Sequence, residues 1–195
     1  MGITGPSGCG KSTLCLCLSG IIPNHISGVL TGEVYLLGQL LSSLPPAAIA
    51  ARLGIVFQDP ETQLFLPVIR NELAFGPENL CVARDEIARR VKKTAEKFGI
   101  SHLLPSAPTE ISGGQQQIAA LAAVLAMEPR VLLLDEVTSQ LDQRSCQRIQ
   151  DIIKNLKQQG VAIVMVEHNH NQLLHCDRVL SMEGGRLTRE VTANG

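Results

Sequence analysis

Residues 5–13 read GPSGCGKST, and no other stretch constrains the fold as tightly. Glycines at 5, 8 and 10 let successive backbone N–H groups converge on an anion with no Cβ in the way. A helix opening at Lys11 adds its positive end to the same point. The spacing Gly5-x-x-x-x-Gly10-Lys11-Ser12 is that of a phosphate-binding loop, which joins a buried strand to a helix. Gly5, Pro6, Ser7, Gly8, Cys9 and Gly10 are then expected to wrap a phosphate chain. Lys11 would reach its terminal phosphates, and Ser12 would place a hydroxyl on Mg²⁺ with Thr13 beside it. A Gly-Ser turn before an ordinary helix is the bland alternative, and it leaves the register of Lys and Ser unexplained.

The rest of the chain supplies the elements that such a loop requires. A helix over 11–18 ends at Gly20 and Pro23, and short strands are predicted at 33–37 and 53–57, the second stopping at Gln58. Prolines 60, 67 and 77 punctuate the next stretch, which reads as irregular or only briefly helical. Ile87, Val91, Ala95 and Phe98 mark one stripe of an amphipathic helix over 85–98. Its Arg89, Arg90, Lys92 and Lys93 alternate with Glu86 and Glu96, as on a solvated face.

Two aliphatic runs, 131–134 and 161–166, each end abruptly in polar residues, as buried parallel strands do. Ile149, Ile152, Ile153 and Leu156 place a helix between them, closed by Gly160, which completes a βαβ unit. Chemistry in such sheets sits beyond the carboxyl ends of the strands. There the first run offers Asp135, to hold Mg²⁺ through water, and Glu136, to activate an attacking water. The second offers Glu167 and His168. With His170, His175, Cys176 and Asp177 these also resemble a zinc cluster, but no second dense set of ligands accompanies them.

Composition narrows the classes. Lys plus Arg is 17 against 18 Asp plus Glu, which argues against a nucleic-acid binder relying on phosphate neutralisation. The longest apolar run, 118–127, is too short to span a bilayer, and no charged leader with an apolar core opens the sequence. Six scattered cysteines without a CxxC pair read as reduced, buried thiols in a cytosolic setting.

Residues 111–115, ISGGQ, precede a nearly all-aliphatic helix. A capping Ser followed by two glycines exposes N–H groups at a helix start, a second anion cradle in one chain. One triphosphate needs one cradle, so the second suits a neighbour's ligand. Here the sequence resembles an ATP-binding cassette (ABC) ATPase. The markers fall in that family's order: phosphate loop, Gln58, ISGGQ, LLLDE at 132–136, Ser139-Gln140-Leu141-Asp142 and His168. The resemblance implies an α/β P-loop NTPase of RecA-like type. Its mainly parallel sheet would carry an inserted helical subdomain over 68–126, the nucleotide-binding core being 1–67 with 127–195. It also implies two cassettes, identical or paralogous, closing head to tail on two ATP molecules. Gln58 would contact metal or water, Ser112, Gly113, Gly114 and Gln115 would cap the partner's ATP, and His168 would hold the γ-phosphate. Asp142 would lie in the loop crossing the interface.

The stretch GIVFQDPETQLFLPVIRNELAFGPENL, 54–80, together with VEHNHNQLLHCDRVL, 166–180, resembles the ATPase subunits of energy-coupling factor (ECF) transporters, importers of vitamins and of metal ions such as cobalt or nickel. That resemblance implies a cleft near Gln58 to Phe65 for helices of a transmembrane coupling protein, and a place on the cytoplasmic face of the membrane. Phe65, Val68 and Ile69 serve equally as helical core.

The pattern is departed from at four places. Ile111, Ile118 and Val137 stand where Leu, Arg and Pro are usual. Residues 1–4 alone precede the loop, where the family carries one or two strands and an aromatic that stacks on adenine; Tyr35 comes too late to be it. A truncated, hydrolytically silent cassette that only binds a partner is therefore the leading alternative. A chromosome-maintenance ATPase would need a long insertion between Gln58 and Ser112, and a P-loop kinase has no use for ISGGQ before LLLDE.

Overall fold

The sheet that supports the phosphate loop has a three-residue strand near its centre. In the computed structural model, which describes residues 1–139, 141–168 and 173–191, β1 (Gly2–Thr4) is buried along its length. It pairs in parallel on both sides, with β6 (Ala162–Val166) and with β7 (Val179–Glu183). The six-stranded order is β4-β5-β6-β1-β7-β8, where β4 is Leu53–Val56, β5 is Val131–Asp135 and β8 is Arg186–Val191. Only the last pair is antiparallel.

Each parallel strand is covered on both faces, which is why 131–134 reads as a continuous apolar run. Side chains alternate across a strand. Leu132 and Leu134 enter the main core, while Leu133 joins Leu36, Leu41, Ile49 and Leu53 on the opposite face. Against the main core lie α4 (Ile69–Asn79), α5 (Arg84–Phe98), α6 (Gly113–Ala126) and α7 (Gln143–Gln158). The stripe foreseen on α7, Ile149, Ile152, Ile153 and Leu156, is its buried face. From Ile118 onward helix α6 is aliphatic all round because nearly all of it is buried. Small residues let its neighbours approach: a Cβ on Gly54 of β4 would stand 2.4 Å from Val124, and one on Gly76 of α4 would stand 2.5 Å from Met127.

Helix α1 (Lys11–Leu18) packs on the opposite face through Cys15, beside Ile3, Cys9, Val166 and Met182. The short α2 (Ile21–Asn24), a hairpin of β2 (Tyr35–Leu36) and β3 (Gln39–Leu40), and α3 (Pro46–Ala50) complete the fold.

Three expectations are corrected. The stretch punctuated by prolines contains α4, an eleven-residue helix; Pro77 is accommodated because it lies in the last turn, where its missing N–H costs a single bond to the preceding turn. The strand expected at 33–37 shrinks to Tyr35–Leu36, with Leu37 in a left-handed turn at φ 51°. Of the cysteines, all free, only Cys9 and Cys15 are buried, and Cys81 is exposed. Three basic residues of α5 are paired: Arg89 and Arg90 with Glu86, and Arg90 and Lys93 with Glu128. Among the described residues no helix is long and apolar enough to cross a membrane.

Candidate functional site

The loop between β1 and α1 is shaped by glycines with different duties. At Gly5 a Cβ would stand 2.2 Å from the Met182 carbonyl oxygen, so the backbone of β7 admits no side chain there. Gly8 and Gly10 have φ of 76° and 106°, left-handed values that turn the chain around a concave space. Gly10 is the N-cap of α1 and no side chain caps that helix, so its first-turn N–H groups face the loop's concavity. Pro6, Ser7, Ser12 and Thr13 are exposed around the rim, and Cys9 is buried beneath it. The turn joining β7 and β8 backs the loop, Gly185 N–H donating to the Cys9 carbonyl at 2.9 Å.

Lys11 lies buried across this loop, its Nζ donating to the carbonyls of Gly5 and Pro6 at 3.0 and 2.9 Å. The same Nζ is 3.7 Å from Glu136 Oε1, and His168 Nε2 stands 2.5 Å from that oxygen. Strand register brings them together. Leu134 pairs with Val56 and Asp135 with Val166, so the residues just past each pair, Gln58, Glu136 and His168, leave one edge of the sheet. Glu136 N–H donates to the Val166 carbonyl at 2.9 Å, and its φ of 50° is a strained value for a residue with a Cβ. That turn aims the carboxylate at Lys11 instead of along β5. Gln58 is exposed two residues past β4.

Asp135 is buried next to the Ser12 hydroxyl. Burial pushes its carboxyl above the usual aspartate range, and the hydrogen bond from Ser12 opposes that rise. Its Oδ1 has no hydrogen-bond partner among the described residues. A buried acceptor-only oxygen beside a hydroxyl fits a hard divalent cation that takes oxygen ligands, so the donor set suits Mg²⁺. No three His, Cys, Asp or Glu side chains converge as a metal site among the described residues, to which His170 does not belong.

The residues of ISGGQ stand elsewhere. Ser112 caps α6, its hydroxyl accepting from Gln115 N–H at 3.3 Å while Gln115 Oε1 accepts from Ser112 N–H at 2.9 Å. Gly113 and Gly114 form the first turn between them. Ser112 and Gln115 line a cleft of about 470 Å³ together with Asp142, Ser145 and Arg148, and no residue of the phosphate loop lines it. Asp142 caps α7, accepting from Ser145 N–H and hydroxyl. Gln140 lies outside the described residues.

Sequence reasoning placed Glu167 at a strand end without its partner and missed Gln117 and Gln63 behind these groups. Glu167 is buried and accepts from the Thr138 N–H and hydroxyl at 3.3 and 2.9 Å, clamping the segment that follows Glu136 to the end of β6. Burial raises its carboxyl above the ordinary range, against those two bonds. Gln117 and Gln63 hold the end of β4: Gln117 Nε2 donates to the Phe57 carbonyl at 3.0 Å, Phe57 N–H donates to Gln63 Oε1 at 3.2 Å, and Gln63 Nε2 donates to the Ile55 carbonyl at 2.9 Å. The available signal was a polar side chain set against an apolar run, which ordinarily marks a paired group.

Comparison with known proteins gives one answer at three levels. The family described as ABC transporter matches residues 1–139. An ABC transporter ATP-binding protein of Pyrococcus abyssi is 41% identical over 192 residues, covering 97% of this chain and 69% of that protein. One from Saccharolobus solfataricus is 40% identical over 190 residues, but there the chain spans only 36% of the relative's length. Among solved structures, CbiO1 from Clostridium perfringens, described as part of the ABC transporter complex CbiONQ, is similar with TM-score 0.83 and 31% identity over 98% of this chain and 76% of that one. The cassette MJ0796, solved as a dimer bound to ADP and Pi, is similar with TM-score 0.87 and 25% identity, covering all of this chain and 85% of that one.

Proposed function

The chain belongs to the ABC transporter family, and from that premise we propose that it is the ATP-hydrolysing subunit of an ECF-type importer of a vitamin or metal ion, one of two cassettes beneath a transmembrane coupling protein. One contact set carries the hydrolytic reading: Glu136 Oε1 lies between Lys11 Nζ and His168 Nε2 at the strand edge that faces the phosphate loop.

The loop amides and Lys11 bind the phosphate oxygens of ATP, and the first turn of α1 adds its positive end. Ser12, Asp135 and Gln58 would hold Mg²⁺, which when bound would supply positive charge at the terminal phosphates. Glu136 orients a water for in-line attack on the γ-phosphorus and takes its proton, while His168 fixes the carboxylate's direction and contacts the γ-phosphate. Ser112, Gly113, Gly114 and Gln115 complete the partner's site, which accounts for a second anion cradle remote from the first. Residues 68–126 move as a helical subdomain carrying that cradle.

The transport reading rests on a groove of about 320 Å³ between α3, α4 and α6, lined by Phe65, Phe75, Gly76, Val124 and Met127 with Glu72 at its floor. Phe65 and Phe75 meet edge to face at 5.0 Å and stay exposed, a pairing suited to an apolar helix end of the coupling protein. The likeness to CbiO1, a component of a transporter complex, supports the same partner class.

The deciding experiment uses Glu136→Gln. We expect hydrolysis to fall by about 10²–10⁴-fold while nucleotide binding persists. Light scattering with Mg-ATP should then show a shift from monomer to dimer. A monomer with and without Mg-ATP would sink the claim that this chain alone forms the competent pair.

A further inference from the structure

Gln117 sits one turn into α6, five residues after Ser112, with its side chain buried among aliphatic neighbours at 1% exposure. It reaches out of its own helix to one acceptor, the Phe57 carbonyl, at 3.0 Å. That carbonyl belongs to the peptide unit that joins Phe57 to Gln58. The other side of Phe57 is held by Gln63, which also ties itself back to Ile55. The chain entering Gln58 is thus suspended between two side-chain amides, one from its own loop and one from the helix that begins with ISGGQ. The Gln117 carboxamide is placed by this bond alone, since its Oε1 has no hydrogen-bond partner among the described residues. An amide kept in an apolar interior for one long-range bond is costly unless that bond matters. Next to it, Ile118 offers only apolar contact to the core.

We propose that Gln117 is a positioning residue for ATP hydrolysis: it ties the Phe57–Gln58 peptide to α6, so that the helix carrying Ser112 and the side chain serving metal and water shift together. This rests on the reading of Gln58 given above. A displacement of α6 toward a partner's nucleotide then pulls directly on the segment that presents Gln58, and Gln58 cannot take its place independently of Ser112. Gln117 touches neither nucleotide nor metal.

The test uses Gln117→Met, which keeps the shape and removes the donor, and Gln117→Asn, whose shorter amide falls short of Phe57 while remaining polar. Amide hydrogen exchange is read first, without nucleotide. In both variants peptides spanning 55–58 should exchange faster than in the wild type, while those of the phosphate loop and α1 keep their protection. In steady-state kinetics kcat should drop by about ten-fold with KM for Mg-ATP little changed. Combining either variant with Gln58→Ala should lower kcat no further than Gln58→Ala does alone. Unchanged exchange at 55–58 in a folded variant would overturn the proposal, and so would losses that multiply in the double variant. A wild type that fails to hydrolyse ATP, or a Gln58→Ala variant as active as the wild type, strikes the functional reading; the exchange experiment then still decides whether Gln117 holds this segment. If the methionine variant does not fold, the asparagine variant carries both measurements.

Discussion

Gly5 and Gly8 belong to one motif and are glycines for unrelated reasons. At Gly5 the obstacle is the Met182 carbonyl; at Gly8 the surroundings are open and only the left-handed backbone excludes a side chain. Gly5→Ala is therefore expected to destabilise the fold by about 2–4 kcal/mol, seen as a lower denaturation midpoint. Gly8→Ala should cost about 1 kcal/mol of stability and weaken nucleotide affinity more than it weakens the fold. Calorimetric melting beside a nucleotide titration separates the two. The sequence announced the motif and its chemistry, because the pattern is a spacing of residue types. It did not announce which glycine is pressed by β7, since that contact spans nearly the whole chain. The carboxylates Asp135 and Glu136 were equally legible at a strand end, whereas the left-handed turn that aims Glu136 at Lys11 has no local marker.

Among the elements, α6 shows one residue placed to serve two ends. Ser112 caps the helix and also opens ISGGQ. Ser112→Ala should cost about 1 kcal/mol through the lost cap. Ser112→Asp keeps a capping oxygen and should leave Tm near the wild-type value, yet its charge would repel a partner's phosphates and abolish ATP-dependent dimerisation in light scattering. Helix α4 supplies a pH-linked test through Glu72, whose carboxylate accepts from the Leu66 N–H. Burial holds its carboxyl above the ordinary glutamate range, against the bonds from Leu66 and Phe65. The folded state thus holds this proton more tightly than the unfolded chain. Its stabilising effect is full below the unfolded value and is lost as pH rises through the folded one. Glu72→Gln keeps the acceptor and removes the charge, so Tm should rise by about 2–4 °C at pH 7, with the gain vanishing at acid pH. Helices with a clean stripe, such as α5 and α7, were readable in advance. Helix α4 was not, because three prolines near it spoke for irregularity and only tertiary packing of Ile69 and Leu73 overrules them.

At the scale of the molecule, none of Lys11, Glu136 and His168 lines the Phe65–Phe75 groove, so its aromatic pair can be damaged without touching those groups. Phe65→Asp should leave basal ATP hydrolysis within about two-fold of wild type while abolishing co-purification with a coupling protein, since a charge in the apolar core of a contact goes unpaired. Strands β4, β5 and β6 were visible as runs in the sequence, but the sheet order was not: β7, which pairs in parallel with β1, and the β7–β8 hairpin that backs the phosphate loop carry no comparable pattern and went unforeseen. That order has a consequence in time. Gly2 is paired with Met165 on one side and Val179 on the other, so the strand that launches the nucleotide loop cannot be seated until residues far down the chain have left the ribosome. Loop closure over such a span comes late and slowly. The phosphate loop is thus translated long before it can be held in shape, and nucleotide affinity should arise in one late step when β6 and β7 close around β1.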